Sequence, residues 1–126
     1  MKVLNIVESA YRATTEEQDE TIVWLTHAMK GAGADLGVLL RGNAVNYAVR
    51  GQDASGLAFG GWRQTQPPQL ARDIAGLIEK GVAVHALEED LTAHGVQPDE
   101  LVPGVERVTR DALAGLFAAY DQIWHW

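Results

Sequence analysis

Two histidines, His85 and His94, flank an acidic run of Glu88, Glu89 and Asp90. Imidazole and carboxylate together suit a borderline divalent cation, and a histidine or a glutamate can also move protons. These residues do not follow the His-x-x-x-His spacing of a helical ligand pair. The expectation is therefore no metal and no cofactor, with the histidines buried and satisfied or simply exposed beside a solvated acidic turn. A second group is Tyr11, Arg12 and Thr14, with Arg41 further along. A helix start there would offer free N–H groups to a small anion, and Arg12 and Arg41 would add positive charge. The plainer alternative is that Thr14 and Thr15 cap the helix and both arginines pair with surface acids. No Gly-x-Gly-x-x-Gly and no phosphate-loop lysine follows an apolar run, which excludes the common nucleotide sites. Ser9 has no histidine–acid partner in view, so a serine triad is not expected.

The elements that would position these side chains are legible from pattern. Residues 3–7, 35–40 and 82–87 are short apolar runs that read as buried strands. Ile22, Leu25, Thr26 and Met29 make an i, i+3, i+4, i+7 stripe, and Leu70, Ile74, Leu77 and Ile78 make a clearer one. Gly81 ends the second helix. Asn43 is placed to cap a short helix reaching to about residue 49, and residues 88–94 predict another. Residues 51–69 hold four glycines and two prolines and read as a long connection without regular structure, with Phe59 and Trp62 inside it. Residues 104–106 make a marginal strand. Leu113, Leu116, Phe117 and Tyr120 mark a last helix, and residues 123–126 a last strand. Trp124 and Trp126 would share one face of it, with His125 on the other.

Strands alternating with helices predict a single α/β domain over residues 1–126, a mostly parallel five-stranded sheet with helices on both faces. Ligands in such sheets gather beyond the carboxyl ends of the strands. Residues 8–15, 41–46 and 87–90 should converge there. The chain has 126 residues, 47% of them apolar, and a net charge of −7. That acidity disfavours nucleic acid and anionic membrane as partners. No run approaches the roughly 20 apolar residues of a membrane span. There is no cysteine, so disulfides, thiolate metal sites and thiol nucleophiles are excluded. With too short an apolar opening for a signal peptide, the expected location is the cytoplasm.

Four segments together carry a family resemblance. They are Val3-Leu4-Asn5-Ile6-Val7 running into Tyr11-Arg12-Ala13-Thr14; residues 28–45, with Lys30-Gly31-Ala32-Gly33 and Arg41-Gly42-Asn43; residues 77–87 followed by 93–96 and 101–105; and Ala119-Tyr120-Asp121-Gln122-Ile123-Trp124. In order and spacing the chain resembles the DsrE/DsrF/DsrH-like (TusBCD-type) sulfur-relay family. The resemblance covers nearly everything outside residues 51–69. It implies a three-layer DsrE-like sandwich assembled into trimers or hexamers, of one chain or with a cysteine-bearing paralogue. Sulfur-carrying members hold a cysteine at the end of the third long strand, a place that falls here on Leu87. The resemblance thus implies a scaffold without the sulfur chemistry: a structural, regulatory or binding subunit linked to sulfur transfer or sulfur oxidation. Its cleft would present Tyr11, Arg12, Thr14, Arg41, Asn43, His85, Leu87 and Glu88 to a partner or a small anionic ligand. The alternative is a small-molecule enzyme that uses the same cleft without a thiol, with His85 or Glu88 as acid or base.

Overall fold

The computed structural model describes residues 1–10, 21–52 and 56–126. Five parallel strands form the central sheet: β1 (Lys2–Val7), β2 (Asp35–Leu40), β5 (Ala83–Leu87), β6 (Glu106–Val108) and β7 (Gln122–His125). Their spatial order is β6-β5-β2-β1-β7. Between β2 and β5 in the chain, β3 (Ala58–Phe59) and β4 (Trp62–Arg63) pair as a separate antiparallel hairpin. The helices are α1 (Thr21–Gly31), α2 (Leu70–Glu79), α3 (Glu88–Ala93) and α4 (Leu113–Ala118).

Side-chain alternation sorts the strands onto two faces. Val7, Val38, Leu40, Val84 and Ala86 pack with Ile22 and Val23 of α1 and with Ile74 and Leu77 of α2. The opposite face is thinner: Leu4, Ile6 and Leu39 are buried there under Leu113, Leu116, Phe117 and Tyr120. The sheet is therefore an α/β sandwich with helices on both faces, as the alternating pattern predicts. Gly37 makes the thin layer possible, because a Cβ on it would collide with the Tyr120 hydroxyl.

The chain winds outward from β1 through β2 and β5 to β6, then returns across α4 to place β7 on the free side of β1. Right-handed crossovers in opposite directions put α1 and α4 on opposite faces. The winding reverses at β1, and in sheets of this kind the ligand crevice lies beyond the carboxyl ends of the strands at such a reversal.

Three expectations need correction. Residues 51–69 are not wholly irregular: Gly60-Gly61 forms the two-residue loop of the β3–β4 hairpin, with Gly60 at φ 55°. The hairpin base is fixed by buried Gln64, whose N–H donates to the Leu57 carbonyl at 2.8 Å and whose Oε1 accepts from the Leu57 N–H at 3.1 Å. Asn43 caps no helix. The segment is a 3₁₀ helix, Gly42–Ala48, whose first N–H at Gly42 donates to the Asp90 carboxylate at 2.6 Å. The marginal strand is β6, Glu106–Val108, shifted toward the carboxyl end of the predicted one.

Candidate functional site

At the end of β2 the backbone turns through Arg41, in extended conformation, into Gly42 at φ 56°. The left-handed turn suits glycine, and its bareness lets the Glu8 side chain cross over it. A Cβ on Gly42 would stand 3.2 Å from the Glu8 Cγ. Glu8 follows β1, its N–H donating to the Trp126 carbonyl at 3.1 Å. One Glu8 oxygen, Oε2, lies 2.7 Å from Nε2 of His125, the last residue of β7. The other, Oε1, lies 3.8 Å from Nε of Arg41. Arg41, Glu8 and His125 thus line up across three neighbouring strand ends at the point where the winding reverses.

The contact between Arg41 and Glu8 is an ion pair by distance but too long for a hydrogen bond. The Arg41 Nε is itself shielded from solvent and has no hydrogen-bond acceptor among the described residues, while the side chain as a whole is 37% exposed. A shielded donor left unpaired is rare in folded proteins and marks a candidate position for an acceptor.

The acidic run contributes by holding the crevice walls. Glu88 accepts from Arg107 of β6 at 3.3 Å. Glu89 accepts the Arg110 N–H with both oxygens, at 2.9 and 3.0 Å, which anchors the start of the 3₁₀ turn Arg110–Ala112. Asp90 holds Gly42. Three consecutive carboxylates on one short helix therefore clamp three separate segments.

The residues singled out from sequence that the structure describes fall at several places along the strands and their ends. Tyr11, Arg12 and Thr14 lie outside the described residues. Arg41 and Glu88 both stand at strand ends in the crevice wall. Asn43 is exposed in the 3₁₀ helix, its carbonyl accepting from the Asn46 side chain at 3.0 Å. Leu87 ends β5 with 1% of its surface exposed, so its side chain belongs to the core. His85 sits further down β5 on the α4 face, with Nδ1 3.4 Å from a Glu106 oxygen. Burial lowers its pKa; Glu106 partly opposes this, and Lys2 reinforces it. Nearby, Lys2 Nζ lies 4.8 Å from the centre of the Tyr120 ring. Burial, then Asp35 and Glu106, raise the Tyr120 phenol above its usual range.

Glu8 and His125 form the dyad that sequence reasoning did not select. The signal was present in part: residue 125 was expected to face away from Trp124 and Trp126. The parallel register of β7 on β1, with Ile6 level with His125, completes it. Among the described residues no cluster of three or more histidines and acids could hold a metal ion. A separate cleft of about 200 Å³ between α1 and α2 is lined by Trp24, His27, Asp73 and Lys80. There the His27 Nε2–H donates to the Asp73 carbonyl at 2.8 Å, leaving Nδ1 to accept from Lys80 at 3.0 Å. No helix among the described residues is long and apolar enough to cross a membrane.

No family model matches the chain, and no curated protein matches it in sequence. Solved structures do match. YchN from E. coli superposes with a TM-score of 0.75 at 20% identity, covering 99% of this chain and 98% of that one. MTH1491 from Methanobacterium thermoautotrophicum, a protein of unknown function, gives a TM-score of 0.60 at 17% identity, covering 98% and 97%. At such identities the likeness bears on fold alone. It supports a DsrE-like fold for the whole chain.

Proposed function

We propose that this chain is a cytoplasmic DsrE-like binding subunit, linked to sulfur transfer or sulfur oxidation, that recognises a small oxyanion at the strand-end crevice and carries no sulfur itself. The observation that carries the reading is the shielded Arg41 Nε, without an acceptor among the described residues, beside the reversal point of the sheet. A planar guanidinium is the side chain best suited to tetrahedral and planar oxyanions. The absence of cysteine and the burial of Leu87 support a recognition role rather than a carrier role.

Assembly is part of the proposal. Leu57, Phe59 and Trp62 are 57%, 66% and 39% exposed, and the two rings stack at 6.1 Å on the β3–β4 hairpin. Aromatic side chains held out on a hairpin suit a subunit contact, with a second copy or a cysteine-bearing paralogue as the partner. Calorimetric titration with thiosulfate and sulfate tests the binding role. Saturable binding that Arg41→Gln removes is the expected result; binding unaffected by Arg41→Gln, or none at millimolar anion, would refute it.

A further inference from the structure

Glu8 lies between the guanidinium and the imidazole, closer to the imidazole. It touches His125 at 2.7 Å and stands off Arg41 at 3.8 Å. Were it to close on Arg41, it would fill the acceptor position at Nε, and an incoming anion would meet a carboxylate already in place. Resting on the oxyanion reading above, we infer that Glu8 is a built-in competitor for Arg41 and that His125 holds it off, keeping the anion site open.

The physical grounds are charge and reach. Two anions near one guanidinium repel each other, and solvent screens that repulsion only in part where the Arg41 and Glu8 side chains are 37% and 44% exposed. The His125 N–H is a directional donor, and at 2.7 Å it fixes one carboxylate oxygen on the β7 side. The Glu8 methylene groups lie over the bare turn at Gly42, where a side chain would crowd them. The other acids in the crevice wall have separate partners: Glu88 has Arg107, Glu89 the Arg110 N–H and Asp90 the Gly42 N–H. Among these four carboxylates, Glu8 alone contacts the Arg41 guanidinium. His125 is a positioning residue in this scheme. It acts on the anion only through Glu8.

That dependence gives a signature in sulfate affinity, measured by calorimetry on the full chain. Glu8→Gln removes the competing charge and should tighten binding about tenfold, the effect of about 1.4 kcal/mol of relieved repulsion. His125→Ala releases Glu8 and should weaken binding by about threefold. In the Glu8→Gln background, His125→Ala should have no further effect. A purely structural role for His125 would weaken binding in both backgrounds. Thermal melts check that each variant folds, and Glu8→Ser replaces Glu8→Gln if the latter does not. Arg41-dependent binding that Glu8→Gln leaves unchanged would overturn the competitor while leaving the oxyanion reading intact. Binding that ignores Arg41→Gln, or no binding in any variant, would overturn both.

Discussion

The Tyr120 hydroxyl lies against the backbone of Gly37, in the space a side chain at that position would take. This contact closes the thinner sheet face under α4. Gly37→Ala forces either the ring or β2 to move, and overpacking of this kind costs about 1–3 kcal/mol. Chemical denaturation should show that loss. In a double-mutant cycle, Tyr120→Ala should relieve most of it, so the two substitutions will be strongly non-additive. Additive losses would mean that the ring and the glycine are not in contact.

The same face sets a pH dependence. His85 is held below its ordinary value of 6.5 by burial, so as pH falls below 6.5 the unfolded chain takes up the proton before the folded one. Stability should therefore decline on acidification, from about the unfolded value down to the depressed folded value. His85→Gln should remove that share of the acid loss, measured as unfolding free energy between neutral and mildly acidic pH. Tyr120 is shifted in the opposite direction, above 10.0, and its ionisation in the unfolded chain should erode stability at alkaline pH. Tyr120→Phe should flatten that alkaline limb.

Asn5 and Thr26 are both fully buried and bonded to each other: the Asn5 amide donates to the Thr26 hydroxyl at 3.1 Å, and the hydroxyl donates to the Ile22 carbonyl at 2.7 Å. The Trp126 indole N–H reaches the Asn5 Oδ1 at 3.4 Å. Thr26→Val keeps the shape and removes the acceptor, leaving a buried amide donor unpaired. The expected cost is about 1–3 kcal/mol, with Thr26→Ser much milder.

The exposed hairpin makes a prediction about mass. If Phe59 and Trp62 carry the proposed subunit contact, the protein will scatter light as an oligomer, and Phe59→Ser with Trp62→Ser will lower the mass toward one chain. Both positions are exposed, so thermal stability of the isolated chain should change little. A monomeric wild type would remove the assembly part of the proposal.

The sheet was legible because its long strands are mostly apolar runs, broken only by Asn5 in β1, the glycine in β2 and His85 in β5, and its two main helices carry regular stripes. The hairpin was not, since each of its strands has two residues and glycines crowd the segment. Gly60-Gly61, a two-residue hairpin loop pair, is the cue that could have marked it. The capping of the 3₁₀ helix was misread because the acceptor, Asp90, lies 48 residues away while Asn43 is adjacent. The Glu8–His125 pair spans 117 positions and depends on the register of the last strand against the first. Apolar pattern marks strands, but their neighbours follow from the winding, so a site built from strand ends stays hidden until the order is known.

Where an oxyanion lands on the protein decides the proposed role most directly. Thiosulfate titrated into isotope-labelled protein, followed by amide resonances, should shift Glu8, Arg41 and Gly42 together along one saturating curve, with the His125 ring moving alongside. Shifts confined to the cleft of Trp24, His27 and Lys80, or no saturating shift at the strand ends, would contradict it.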